Sequence, residues 1–340
     1  MTTPVFEPAR LRLARELAEA TQSALAEQLG VSAAAVSQYE SGAARPSQQT
    51  LAELCSLLAV PPNFFTTPLL ETHEGFFRSL RRTPVGKRRQ ARGYGHVAHD
   101  IATHSAVVLS LPTLSLPKRT IADLDVPRGD VEQIASDVRR EWVLPAGPVS
   151  DVVGLLEQHG AVVMRLPLVT TEVDAFSLPF ADHPVVVLSA DKNDRARSRF
   201  DAAHELGHLV MHGDQVWGLR EVETQAHWFA AAFLMPAPDI HDELPTKVDW
   251  PRLFELKKRW QVSLAALLLR AKSLGRINDA QYVTAVKTAS ARGWRRVEPV
   301  PLGAPEQPKL LSCALDTLTN LGLDDFLPTF ATAGLSTANR

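Results

Sequence analysis

Cysteine is nearly absent from this 340-residue chain. Cys55 and Cys313 stand far apart with no CxxC partner, which argues against a disulfide scaffold or a thiolate zinc site. Any bound metal must then be held by histidine and carboxylate. Long apolar runs are missing too: the richest, Leu264 to Leu269, falls well short of the ~18 residues that span a bilayer. The first residues carry Glu7, Arg10, Arg12, Arg15 and Glu16 and no apolar run ahead of a small-residue cleavage site, which argues against a secretory signal. No membrane partner is expected, and the expected compartment is cytoplasmic. Aromatic residues make up only 6%, while Ala and Leu dominate, which favours helices. Neither sign of charge prevails. With 36 basic and 38 acidic residues the net charge is −2, too near neutral to announce a nucleic-acid partner by itself.

What is present suits a globular protein of two or three domains, with 45% hydrophobic residues to build cores. Residues 8–60 show helical periodicity cut into four short pieces. Leu13 and Leu17 mark the first, broken at Thr21. Leu25, Ala26 and Leu29 mark the second, stopped at Gly30. Ser32 caps a third that carries Val36 and Tyr39 and ends at Gly42, and Leu51, Leu54 and Leu58 mark a fourth closed by Pro61-Pro62. This is a small all-α unit. Residues 1–70 hold four basic and six acidic side chains, whereas Phe76 to His99 holds seven basic and no acidic ones. That basic stretch contains Pro84, Gly86, Gly93 and Gly95 and reads as a linker, with a helical pattern resuming near His96.

Two amphipathic helices follow, at Val131–Trp142 and Val149–His159. Short β-rich runs then appear at Ala161–Leu166, Ala175–Leu178 and Pro184–Leu188. Helices are expected from about Asp194 to His212, Glu221 to Leu234, Pro251 to Trp260 and Leu264 to Leu274. Val297 to Pro308, with four prolines and no periodicity, reads as a linker to a C-terminal tail.

The strongest chemical signal is His204-Glu205-Leu206-Gly207-His208. Helical residues four apart lie within about 40° of each other, so both imidazoles can hold one zinc from a single face. Glu205, rotated by about 100°, can reach a water acidified by the metal and act as general base. Chance would produce this pattern roughly 0.02 times in such a chain. A third ligand is needed, and the next helix offers Glu221, Glu223 and His227. His212 lies on the same face and reads as a helix-terminal histidine favoured by the dipole.

The segments Arg199-Phe200-Asp201-Ala202-Ala203-His204-Glu205-Leu206-Gly207-His208-Leu209-Val210-Met211-His212 and Glu223-Thr224-Gln225-Ala226-His227-Trp228-Phe229-Ala230-Ala231-Ala232-Phe233-Leu234-Met235-Pro236 resemble the ImmA/IrrE family of zinc metallopeptidases. The resemblance implies a zincin-like α+β domain with Glu223 as third ligand and Glu205 as the catalytic residue. His227, one turn after Glu223, takes a supporting role beside the ligands. This chain has Gln225 where many members have Glu, and His227 where Asn is common.

Thr21 to Gly42 resembles the core of the XRE/Cro helix-turn-helix family. Ala26 is small where helices cross, Gly30 permits the tight turn, and Val31 and Val36 plug the core. The third helix would enter the major groove. Gln22 would contact phosphate or an adenine edge, Ala33, Ala34, Ser37 and Gln38 would face bases, and Arg45 would reach phosphate. Such an acidic reader is short of the charge that binds phosphate. Arg78, Arg81, Arg82, Lys87, Arg88, Arg89 and Arg92 could supply it.

The expected fold is therefore multidomain. An all-α helix-turn-helix domain occupies residues 1–70 and a basic linker with a connecting helix 71–120. An α+β metallopeptidase domain occupies 121–245, a helical extension 246–296, and a Pro-rich linker and tail 297–340. The expected partners are double-stranded DNA, a repressor-type protein substrate and a second copy of the chain in a homodimer. The expected function is a transcriptional regulator whose metal domain cuts a repressor or the chain itself, in a stress, phage or mobile-element response. The alternative is a regulator or antitoxin-like protein whose peptidase-like domain is a non-catalytic sensor or dimerisation unit.

Overall fold

The computed structural model describes residues 5–70, 72, 76–77, 84–121, 123–167, 175–191, 193–212 and 219–329. In chain order the first elements are α1 (Pro8–Leu17), α2 (Gln22–Leu29), α3 (Ala33–Ser41), α4 (Gln48–Leu58), β1 (Phe76–Phe77), α5 (Val85–Ser105), α6 (Arg128–Glu141) and α7 (Val152–Gln158). They are followed by β2 (Val162–Leu166), β3 (Ala175–Leu178), β4 (Val185–Ser189), α8 (Arg195–Met211) and α9 (Arg220–Leu234). The chain continues with α10 (Ala237–Ile240), α11 (Trp250–Trp260), α12 (Leu264–Ser273), α13 (Asp279–Ala291) and α14 (Leu310–Leu321). These elements form two compact units. One comprises Met1–Leu114, Glu157–Ala190 and Pro308–Arg340, the other Ser115–Leu156 and Asp191–Gln307.

In the first unit the four expected N-terminal helices form, each where its cap dictates. Thr21, Ser32 and Ser47 hydroxyls accept the Ala24, Ala35 and Thr50 amide hydrogens, each at 3.1 Å. Gly30, at φ +66°, makes the left-handed turn between α2 and α3. Behind α1, the basic stretch is not a linker from residue 85 onward but the start of the 21-residue α5. Its glycines are there for close packing. A Cβ on Gly93 would sit 2.8 Å from Leu17, and one on Gly95 only 2.4 Å from Leu178.

The sheet has the order β1-β3-β4-β2. The pairs β1/β3 and β3/β4 are antiparallel, whereas β2 and β4 run parallel with Val162 opposite Val185. Every residue of β2, β3 and β4 is buried, which is why these strands are mostly apolar on both faces rather than alternating. One core joins Leu11, Leu25 and Leu54 of the reader helices to Val97 and Ile101 of α5, Val162, Phe176 and Val187 of the sheet, and Leu311 and Leu315 of α14. The strands expected at 161–188 thus pack with the reader. The segment expected to be a C-terminal tail supplies α14 to the same core, because Leu311, Ala314, Leu315 and Leu318 line one helical face.

α5 also buries polar groups in this unit. Arg10 pairs with Asp100, its Nη2 lying 3.0 Å from Asp100 Oδ1. His99 Nε2 lies 2.7 Å from Asp182 Oδ1. His96 packs edge-on against Phe180, and burial, assisted by the Arg92, Arg10 and His99 charges, pushes its pKa down to about 3. An unfolded chain takes up this proton below about pH 6.5 while the folded one does not, so stability is lost as pH falls through that window. Between pH 6.5 and 5 this one site should lower the unfolding free energy by about 2 kcal/mol. Denaturant titrations of wild type and His96→Phe at both pH values check it; equal pH slopes would refute it.

The second unit is helical. Its α9 is gripped at the C-terminal end by two buried arginines. Arg139 Nη1 donates to Phe233 O at 2.8 Å, and Arg270 Nε to Met235 O at 2.9 Å, satisfying carbonyls that a helix end leaves without partners. The aperiodic stretch after α13 is held by side chains rather than by backbone ladders, as its prolines require. Glu298 accepts from Lys257 Nζ and from the Leu264 amide at the start of α12. Glu306 accepts from the Val152 and Val153 amides at the start of α7 and pairs with buried Arg199.

Candidate functional site

The metal-binding chemistry expected from the sequence lies where α8 packs on α9. Gly207 makes that approach close, since a Cβ there would lie 3.0 Å from the Phe229 ring. His204 and His208 are each about 1% exposed, and so is Glu205 between them. His204 Nε2 and His208 Nε2 are 3.0 Å apart. Glu223, from the first turn of α9, brings Oε2 to 3.3 Å from His204 Nε2 and Oε1 to 3.6 Å from His208 Nε2. Three donors converging at this spacing match ligands that each sit about 2 Å from one ion, and the three form the candidate cation cluster among the described residues. Glu221, the other carboxylate considered, is exposed and stands outside the cluster.

His227 lies beside the site. Its ring stands edge-on to His204, with centroids 4.7 Å apart, and its Nδ1 donates to Glu223 O at 3.0 Å. His212 stands at the end of α8, as read from the sequence, and makes contacts that the sequence did not show. It caps α8 in an extended conformation, and its Nδ1 lies 2.9 Å from His208 Nδ1 while Nε2 lies 2.9 Å from Gln225 Oε1. Burial lowers its pKa, opposed by the Gln225 hydrogen bond and the Glu223 charge. Burial disfavours the charged form, so an attraction between an imidazolium and the helix dipole is not the whole account of its place. The i+4 spacing from His208 was legible; the contact with Gln225 was not, because it depends on the packing of α9.

In the reader, Ala33, Ala34, Ser37 and Gln38 all lie on the exposed face of α3, and Arg45 is exposed beyond it. Gln22 is more constrained than expected. Its amide nitrogen donates at 2.7 Å to Glu40, which is buried in a pair with Arg15 (3.0 Å from Arg15 Nη2). One of its donors is thus engaged inside the domain.

The basic residues of α5 are likewise engaged. Lys87 pairs with Glu19 at 2.7 Å and Arg89 with Glu16 at 3.7 Å, so they offset the acidic charge at and just beyond the end of α1 directly. A cleft of about 860 Å³ is lined by Arg12, Arg15, Gln22, Arg88, Arg89 and Arg92 together with Glu16, Glu19 and Glu40. Arg78, Arg81 and Arg82 lie outside the described residues.

Residues 9–63 match a family model described as a helix-turn-helix domain, and residues 156–272 match a peptidase family model described as an IrrE N-terminal-like domain. The chain carries a helix-turn-helix domain and an IrrE N-terminal-like domain. The helix-turn-helix match covers α1 to α4, and the IrrE-like match includes the sheet strands β2–β4 and all three converging donors. A comparison with curated proteins gives no match. Among the described residues no helix is long and apolar enough to cross a membrane.

Proposed function

We propose that the chain is a cytoplasmic DNA-binding transcriptional regulator whose IrrE-like domain is a zinc-dependent peptidase acting on a repressor-type protein or on the chain itself. The observation that carries this reading is the convergence of His204, His208 and Glu223 beside buried Glu205. A nitrogen and oxygen donor set without thiolate, holding three positions and leaving one open, suits zinc in a hydrolytic site. When bound, the ion supplies Lewis acidity that makes water nucleophilic near neutral pH. Glu205 supplies what the ligands do not: a carboxylate oxygen to accept the proton of the attacking water and pass it to the departing amine. His227, held by Glu223 O, steadies that side of the site. A purely sensory domain has no use for such a base. Cleavage of a repressor encoded beside this protein, present in wild type and absent in Glu205→Gln at equal zinc content, tests the reading. Zinc without any Glu205-dependent cleavage would favour the sensor.

The DNA half of the proposal assigns base contacts to α3 and the start of α2, through Ala33, Ala34, Ser37, Gln38 and Gln22, with Arg45 on phosphate. A homodimer would place two half-sites about one helical turn apart. Sequence-blind affinity comes from the basic segment. Replacing Arg88, Arg89 and Arg92 together by Ala should weaken binding to operator and random DNA alike. It should flatten the dependence of log K on log salt by roughly 0.9 for each lost phosphate contact. An unchanged slope in a salt titration would show that these arginines serve the fold alone.

A further inference from the structure

Two backbone carbonyls set the direction of a hydrogen-bond chain that ends on a metal donor. Gln225 Nε2 lies 3.0 Å from Leu124 O and 3.4 Å from Asp123 O. Carbonyls only accept, so this edge of the amide carries the hydrogens and Oε1 faces His212. Oε1 also only accepts, and it lies 2.9 Å from His212 Nε2. That nitrogen therefore carries a ring proton, and an imidazole with its single proton there has a lone pair on Nδ1. The lone pair meets His208 Nδ1 at 2.9 Å, which must then be the donor. His208 is left with a bare Nε2, the atom that faces His204 and Glu223.

We propose that His212 and Gln225 are positioning residues that lock His208 into the one tautomer able to ligate through Nε2. The inference rests on the metal-centre reading above. Without a fixed partner an imidazole can carry its proton on either nitrogen, and one of the two choices blocks the ligating atom. Here every link is shielded from competing water: His208, His212 and Gln225 are 1%, 5% and 2% exposed. The chain also ties both helices of the site to the 123–124 segment, so the ring plane of His208 is fixed along with its proton. A glutamine is suited to this place, because a carboxylate would face the same two carbonyls with no hydrogen to give them.

The test has two arms on the full chain. In metal-free, ¹⁵N-labelled protein near neutral pH, long-range ¹H–¹⁵N correlation should show His208 as the Nδ1–H form and His212 as the Nε2–H form. Zinc affinity is then measured by competition with a chromophoric chelator. His212→Phe keeps the bulk and removes the acceptor, so zinc should bind about 10–100-fold more weakly. His212→Asn, whose Oδ1 can accept from His208 Nδ1–H, should recover most of that loss, whereas Gln225→Leu should fall between them. An Nε2–H tautomer at His208, or equal affinities for the Phe and Asn variants, would overturn the proposal. If His212→Phe fails to fold, the wild-type tautomers still decide. His204→Ala is the control: if it abolishes zinc while His212→Phe does not weaken it, only the relay falls, and if zinc survives it, the metal centre itself falls.

Discussion

Alanine at His204 or His208 should take the purified chain from about one zinc per molecule to nearly none. Each substitution removes one of three donors held within 3.0–3.6 Å of one another, and two remaining ligands do not make a tight hydrolytic zinc site. Both side chains are buried on a helix that packs on α9, so the variants should stay folded, with circular dichroism as the check. Glu205→Gln is the counterpart. It should retain zinc, because Glu205 is not among the converging donors, and lower any cleavage by at least ~10²-fold. For the third donor the comparison is Glu223→Ala against Glu221→Ala, and only the first should release metal. Elemental analysis after desalting reads all five variants. Full zinc in a His204/His208 double variant would end the assignment.

The largest effect on stability is expected at Glu306. Its carboxylate joins Arg199, which is about 1% exposed, to the Val152 and Val153 amides at the start of α7. Removing one member of a buried pair leaves the other charge without compensation, at a cost of about 3–5 kcal/mol. Glu306→Ala should therefore cost about that much in a urea titration. Glu306→Gln should cost less, since its amide oxygen can still accept from the α7 amides. Glu298→Ala gives a useful contrast: its partners Lys257 and Leu264 are similar in kind, but its own side chain is more exposed, so the loss should be smaller. A Glu306→Ala variant within about 1 kcal/mol of wild type would show that the segment after α13 is held by something else.

The local chemistry of this chain was readable residue by residue, whereas its long-range partners were not. Ser32 announced its helix because capping is decided within three residues. The valine runs of β2 and β4 announced buried strands in the same way. Gly93 and Gly95 misled, because a glycine that relaxes a linker and one that admits a neighbouring leucine look alike until the neighbour is known. The prolines between 297 and 308 were read correctly as breaking periodicity. That Glu298 and Glu306 anchor the stretch depends on residues 34 to 154 positions away. At the candidate metal site, His204, Glu205 and His208 stood out because helical spacing alone aligns them. The resemblance rather than the spacing singled out Glu223 on the next helix. Gln225 went unassigned since its role depends on two carbonyls a hundred residues earlier.

The order in which the chain visits its two units limits what a cut can achieve. It passes between them at 114/115, 156/157, 190/191 and 307/308, so the polypeptide joins them four times over. A single self-inflicted break at any one crossing would leave the two units still joined by the polypeptide at the other three. Separating the whole first unit from the rest of the molecule by proteolysis would take several scissions, and a fragment ending at 114 would lack the strands and terminal helix that complete its interior. Should the chain be its own substrate, a nick would act by loosening a unit in place, not by setting one adrift.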